Sequence, residues 1–182
     1  MRGTSYTRRV PSPPTSRSEM SHDLVVPVGD LIGSPGKERP FKGTSPVRLD
    51  FGDSRVEGPM SVSGRVIGLI DAVEADFLVT AAGHFTCTRC LIEWDDSVTV
   101  ETKQYFRTMP DEDGYAIVEN EVDISGPARD ELALSLPAKP LCRQDCLGLC
   151  PTCGTDLNSE PCGGHKDDSD SPFATLKDLL EP

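Results

Sequence analysis

Three stretches between residues 56 and 107 alternate apolar and polar side chains with a period of two, and the parity of the alternation reverses across Cys87-Thr-Arg-Cys90. The first runs from Ser61 to Ile70 around Val62, Val66 and Ile70. The second places Ala75, Phe77, Val79, Ala81 and Phe85 on odd positions and Glu74, Asp76, Thr80 and His84 on even ones. The third places Ile92, Trp94, Val98 and Val100 on even positions and Glu93, Asp95, Thr99, Glu101 and Lys103 on odd ones. A period of two belongs to strands with one buried face, and in this setting to antiparallel strands. A turn at Thr88-Arg89 makes paired residue numbers sum to 177, setting Phe85 opposite Ile92, Val79 opposite Val98 and Phe77 opposite Val100. A slip of one residue would turn every apolar side chain to the wrong face, so the register is strongly specified. Asp96 then falls on the buried face, which predicts a bulge or frayed edge there. Cys87 and Cys90 sit at the hairpin tip.

Weaker signals surround this hairpin. Leu24 to Val28 and then Asp30-Leu31-Ile32 read as a short strand or turn, and Ser34 to Pro40 as a basic loop. After the loop Pro110–Gly114, Tyr115 to Val118 forms another short strand. A helix is expected over 126–136, capped by Asp123 or Ser125, with Pro127 in its first turn and Ala128, Leu132 and Leu136 as its apolar stripe, joined by Glu131-Leu134. Pro137 and Pro140 end it. The predicted fold class is α+β: an antiparallel sheet whose hairpin carries Cys87 and Cys90 at its tip, one packed helix and a Cys-rich module. Residues 1–22, rich in Ser, Thr, Pro and Arg, read as a disordered basic tail, and 23–165 as the folded domain. Residues 166–182 read as an acidic linker followed by a short helix carrying Phe173, Leu176, Leu179 and Leu180. Met20 opens the structured stretch and is an alternative translation start to Met1.

The core implied by this pattern is small: 36% of residues are hydrophobic and 5% aromatic, with sixteen prolines and sixteen glycines. Small cores often need a metal or another staple. Charge is unevenly spread. Residues 1–48 carry eight Lys or Arg and four acids, whereas 49–182 carry ten and twenty-six, a balance of −16. An acidic body repels phosphate backbones, so direct binding of RNA by the folded part is disfavoured, while a basic protein would be drawn to it. No apolar run is long enough to span a membrane, and Val10-Pro-Ser-Pro-Pro stands where a signal following Arg8-Arg9 would need apolar residues. The expected compartment is the cytoplasm, where seven cysteines point to metal or redox chemistry rather than structural disulfides.

Cys87-x-x-Cys90 is followed by Cys142-x3-Cys146, Cys150-x-x-Cys153 and Cys162-x-x-His165. Paired cysteines on tight turns present two thiolates at one point, which is what tetrahedral Zn2+ requires. Seven cysteines and one histidine supply eight ligands, enough for two structural zinc sites, which makes the expected hairpin a zinc-knuckle hairpin, the segment 142–165 a Cys-rich zinc module and 23–165 a zinc-binding domain. Gly148 and Gly154 suit knuckle turns, where the backbone takes positive φ. One partition joins Cys87 and Cys90 to Cys142 and Cys146, leaving Cys150, Cys153, Cys162 and His165 for a second site. The rival is a single ribbon of Cys87, Cys90, Cys150 and Cys153. Thiolate-rich sites are mostly structural, and no phosphate loop, Ser-His-Asp set or HExxH appears, so the chain reads as a non-enzyme without a small-molecule substrate.

Cys87-Thr-Arg-Cys-Leu91, Glu131, Leu134-Ser-Leu-Pro137-Ala-Lys-Pro-Leu-Cys142 and Asp145-Cys-Leu-Gly-Leu-Cys150-Pro-Thr-Cys-Gly154-Thr-Asp-Leu-Asn158 resemble the YceD family, the large ribosomal RNA subunit accumulation proteins of bacteria and plastids. Ser171 to Lys177 resembles the family's closing segment, and Leu31 to Phe41 its opening one. The resemblance implies a non-enzymatic role in biogenesis of the large ribosomal subunit, seen as accumulation of 23S rRNA. It also implies a partner: members are encoded beside a small basic zinc-ribbon protein of that subunit, so a large-subunit ribosomal protein or pre-ribosomal particle is expected. Some members keep the CxRC pair while lacking the positions of Cys150, Cys153 and Cys162, which favours the first partition. The family's commonest ending is Cys-x-Cys; here Cys162-Gly-Gly-His165 stands instead, with His165 as candidate fourth ligand. The alternative in another class is a thiol redox or zinc-sensing protein using Cys150-x-x-Cys153. A zinc-ribbon transcription factor is a third reading, opposed by the acidic body.

Overall fold

The structure, a computed structural model, describes residues 24–110 and 114–165. The expected tail 1–22 and the expected helix carrying Phe173 to Leu180 lie outside the described residues. The elements in chain order are β1 (Val25–Pro27), β2 (Glu38–Asp50), β3 (Ser54–Gly68), β4 (Ala72–Thr86), β5 (Glu93–Arg107), β6 (Tyr115–Ala116), β7 (Glu121–Asp123) and α1 (Ser125–Ser135). β2 to β6 form one five-stranded sheet in sequential order, antiparallel except for the β5–β6 pair, and β1 pairs with β7 in a two-stranded antiparallel ribbon. Among the described residues the fold is thus sheet-dominated, with one helix and a mixed sheet. Among the described residues no helix is long and apolar enough to cross a membrane.

One face of the sheet is buried as the alternation predicts: Val62, Val66, Ala75, Phe77, Val79, Ala81 and Phe85 all point into a single core. Fifteen-residue strands are roughly 50 Å long, whereas an eleven-residue helix covers roughly 16 Å. α1 therefore shares the task. Its Ala128 and Leu132 are fully buried against the sheet, and Leu24, Val26, Val28, Leu31, Val122 and Ile124 from the ribbon and its turns cover the remainder. The helix is fastened at its sides as well: Gln104 donates to Glu131, and the Tyr115 hydroxyl donates to Asp130 at 3.2 Å. The opposite sheet face stays in water and carries cross-strand pairs such as Arg65 with Asp76 (3.2 Å) and Lys103 with Glu74 (3.6 Å).

The hairpin register differs from the expected one by two residues. Pairs in β4–β5 sum to 179, so Phe85 faces Trp94 (ring centroids 5.6 Å apart) and Val79 faces Val100. The connection is longer than a two-residue turn. Cys87 N–H donates to Ile92 O (2.8 Å) and Leu91 N–H to Cys87 O (2.9 Å), with Leu91 at φ 61°. Ile92 is consumed in this loop and is 52% exposed. A shift of two preserves the faces, which is why the apolar set stays inside. The β4–β5 ladder runs without a bulge past Asp96, which faces Gly83 and is exposed. The irregularity lies instead in β3, between Val56 and Ser61, where Gly58 (φ 130°) and Pro59 interrupt pairing with β4. Pro59 sits on an interior strand at the place where its missing N–H is not needed.

β2 occupies much of what reads as loop in the sequence, including Glu38 to Pro40. Ile70, expected inside, lies past the end of β3 and is 79% exposed. The helix starts at Ser125, with Ile124 as N-cap and no side-chain cap; Asp123 instead accepts from the N–H and hydroxyl of Ser125 at 2.9 and 2.6 Å. Leu134 does not join the stripe, being 82% exposed.

This contrast on one helix gives a direct check. Leu132→Ala is expected to lower unfolding free energy in urea by about 2–5 kcal/mol, and Leu134→Ala to change it by no more than about 0.5 kcal/mol. Equal effects would contradict the observed helix face.

Candidate metal centres

The hairpin delivers Cys87 and Cys90 to one point, and the proline-rich segment after α1 delivers Cys142 and Cys146 to the same point. Hydrogen bonds to backbone groups hold the two together. Thr88 N–H donates to Pro140 O (3.0 Å), the Arg89 guanidinium to Cys146 O (2.7 Å), and Leu149 N–H to Arg89 O (3.0 Å). Ser54, buried at the start of β3, anchors the segment further by donating to Pro137 O at 2.7 Å. Gly148 has φ 78°, and a Cβ there would sit 2.9 Å from Arg89 O. Glycine thus lets the second segment press against the hairpin tip.

Two sets of ligand-type atoms result. Within each set the atoms all lie within 4.8 Å of one another: Cys87, Cys90, Cys142 and Cys146 in the first, Cys150, Cys153, Cys162 and His165 in the second. The rival set of Cys87, Cys90, Cys150 and Cys153 is not among the groups brought together. All seven cysteines are free thiols. In the first set, Sγ–Sγ distances are 3.9 Å for Cys87–Cys146 and 3.5 Å for Cys90–Cys142. A tetrahedral ion with metal–sulfur bonds of about 2.3 Å places sulfurs about 3.8 Å apart. In the second set Cys150 and Cys162 are 3.7 Å apart, and His165 Nε2 lies 3.2 and 3.3 Å from their sulfurs. Mixed sulfur–nitrogen edges of such an ion are about 3.5 Å. Each set is therefore able to take one metal ion.

The surroundings differ. Cys87, Cys90 and Cys146 are buried and pack with Trp94 and Leu141, while Cys153 and His165 of the second set are exposed. The second set is built on a local fold, with Cys150 N–H donating to Thr155 O (2.8 Å), Gly154 N–H to Cys150 O (2.9 Å) and Leu149 bridging Asp156. Gly154 takes φ 73° there. Burial works to raise the Cys87 thiol, but backbone amides at Cys142, Cys90 and Arg89 outweigh it and bring the thiol down to about 6. Amides at Cys153 and Thr152 likewise bring Cys150 down to about 6. Desolvation, and then the thiols of Cys90, Cys146 and Cys87, push Cys142 up to about 12. The Thr155 hydroxyl lowers the Cys153 thiol as well, so each set contains at least one thiol held below its ordinary value, and the thiolate is the form that binds a metal.

Sequence reasoning named all eight of these residues, but not the groups around them. Asn158, whose Nδ2 lies 3.6 Å from Cys146 Sγ, and Thr155, whose hydroxyl lies 3.1 Å from Cys153 Sγ, carry no spacing signature. A shallow depression of about 640 Å³ lies elsewhere, on the outer sheet face between Arg65, Asp76, Leu78 and Glu101, away from both sets.

The family model described as "Large ribosomal RNA subunit accumulation protein YceD" matches residues 75–180. An uncharacterized protein of Mycobacterium leprae (strain TN) is 34% identical, over 92% of this chain and 82% of its own length. An uncharacterized protein of Mycobacterium tuberculosis (strain H37Rv) is 30% identical, over 93% of this chain and 87% of its own length. A third relative, the chloroplastic "Large ribosomal RNA subunit accumulation protein YCED homolog 1" of Arabidopsis thaliana, is 33% identical over 34% of this chain and 19% of its own length. No solved structure matches. With a family match that spans more than half of the chain and takes in both cysteine sets, the chain belongs to the YceD family.

Proposed function

We propose that the chain is a non-enzymatic factor for biogenesis of the large ribosomal subunit, required for accumulation of 23S rRNA and acting in the cytoplasm. The observation that carries this is family membership, since the family's own description is accumulation of the large ribosomal RNA. The metal, on this reading, is zinc: Cys87, Cys90, Cys142 and Cys146 hold one ion, and Cys150, Cys153, Cys162 and His165 hold another. Four protein ligands per ion leave no open position for a reacting water, which suits a structural role. The zinc would fasten the hairpin tip to the segment after α1, doing for a small core what added apolar burial does for a larger one. The zinc-binding unit spans 23–165. The acidic balance of residues 49–182 suits a basic partner, and a large-subunit ribosomal protein or assembly intermediate is the partner proposed.

Zinc content is the first check. Native mass spectrometry of the full chain should find two zinc ions. Cys87→Ser should leave one and sharply lower the melting temperature, while Cys153→Ser should leave the first set filled and cost less. Mild alkylation tests the redox alternative: labelling of Cys150 and Cys153 should require prior chelation, and fast labelling without chelator would overturn the zinc assignment there.

The cellular role has its own test. Cells lacking the chain should show depleted large-subunit particles on sucrose gradients and reduced 23S rRNA, with rescue by the wild-type chain and not by the Cys87→Ser, Cys146→Ser double variant. An unchanged particle profile would sink the proposed function. Purification of the tagged chain at moderate salt should recover a large-subunit ribosomal protein or precursor particle; recovery of neither would remove the proposed partner.

A further inference from the structure

The two cysteine sets meet at one amide side chain. Asn158 Nδ2 points at Cys146 Sγ (3.6 Å) and donates to Asp156 Oδ1 (2.7 Å). Its Oδ1 accepts from Leu147 N–H (2.9 Å) and from Arg143 Nη2 (2.7 Å). Two donors and two lone pairs are all the group has, and each finds a partner. Three of those partners concern one sulfur: Cys146 itself, the residue after it, and Arg143, whose carbonyl accepts Cys146 N–H at 3.2 Å. The amide therefore grips the turn that aims Cys146.

What holds Asn158 comes from the other set. Its N–H donates to Asp156 Oδ1 (3.0 Å), Asp156 bridges Leu149, Leu157 N–H donates to Gly148 O (3.0 Å), and Thr155 O accepts from Cys150 N–H (2.8 Å). Residues 155–158 are thus a loop built on the fold of the second set, with its tip on a ligand of the first.

We propose that Asn158 is a positioning residue that couples the two centres: metal at Cys150, Cys153, Cys162 and His165 fixes the 155–158 loop, and the loop presents the amide that orients Cys146 and tightens metal binding by Cys87, Cys90, Cys142 and Cys146. This rests on the zinc reading of both sets. Hydrogen bonds that orient a metal ligand are commonly worth about 10–100-fold in metal affinity. The coupling runs both ways, since each ion must stabilise the other by the same factor.

The test uses the full chain, zinc as the titrant and a competing chelator, with occupancy followed by native mass spectrometry. Emptying the second set with Cys150→Ser, Cys153→Ser should weaken zinc at the first set by about tenfold or more. Asn158→Ala alone should weaken it by a similar factor while two ions still bind at saturation. The combined variant should be no weaker than Asn158→Ala alone, because both changes remove one connection. With Co2+ in place of zinc, the sulfur-to-metal charge-transfer band of the first set should move to longer wavelength in Asn158→Ala, as a sulfur without its N–H donor is more electron-rich. Ser159→Ala, a neighbour whose hydroxyl donates to Asp156 Oδ2 and not to Asn158 or Cys146, should leave the band in place. Should the alanine variant fail to fold, Asn158→Asp keeps the oxygen acceptors, removes the donor, and is expected to weaken the first set at least as much. First-set affinity unchanged in Asn158→Ala, or losses that multiply in the combined variant, would overturn the coupling. Two ions binding independently would sink the coupling alone, and no zinc in the wild-type chain would sink the metal reading with it.

Discussion

The apolar face of the sheet is longer than the helix α1 that packs on it, and most of the described architecture follows from covering the difference. α1 covers roughly a third of the strand length. The β1–β7 ribbon, made of strands of three residues, has little stability of its own and is held because Val26, Val122 and Ile124 complete the cover of the core. At the hairpin end the covering changes character. Trp94 packs both on Phe85 and on the Cys87, Cys90 and Cys146 cluster, so the hydrocarbon core passes into a sulfur-lined one without a break.

The chain from Pro137 to Leu157 must satisfy its backbone polar groups with little regular structure to help. It does so by borrowing from the hairpin tip. Pro140 O, Cys146 O and Leu149 N–H all pair with Thr88 or Arg89. The two residues between Cys87 and Cys90 therefore act as a docking plate for the following segment, and the cysteine spacing is as much a demand of that docking as of the ligand geometry.

How much of this was legible in the sequence varies with the physics of each element. Strand faces in β3, β4 and β5 could be read because a period of two is imposed by the pleat and one face must be dry. The hairpin count could not, because registers summing to 177 and 179 turn the same strand faces inward; only the six-residue loop 87–92, which takes Ile92 out of the strand, separates them. β2 was hidden: Phe41, Val47 and Leu49 face inward, but Gly43 and Ser45 dilute the alternation and Pro40 and Pro46 mimic loop. Both prolines are acceptable on an edge strand. The eight ligand-type residues were visible by residue type and spacing, and their grouping depended on a family resemblance until the fold brought each set together. Asn158 was out of reach, since nothing in sequence distinguishes an amide that grips a sulfur turn from one that faces water.

The two sets also differ in how far along the chain their members lie, and this orders events during synthesis. Cys150 and His165 are 15 residues apart, whereas Cys90 and Cys142 are 52 apart. By loop-closure entropy alone the longer loop costs about 1 kcal/mol more to close. It also cannot close until β5, β6, β7 and α1 have been made, so the dithiol at the hairpin tip emerges from the ribosome about fifty residues before its partners. During that interval Cys87 and Cys90 are an open pair, and closure of the first set marks the point at which the sheet, the helix and the sulfur-lined end belong to one body.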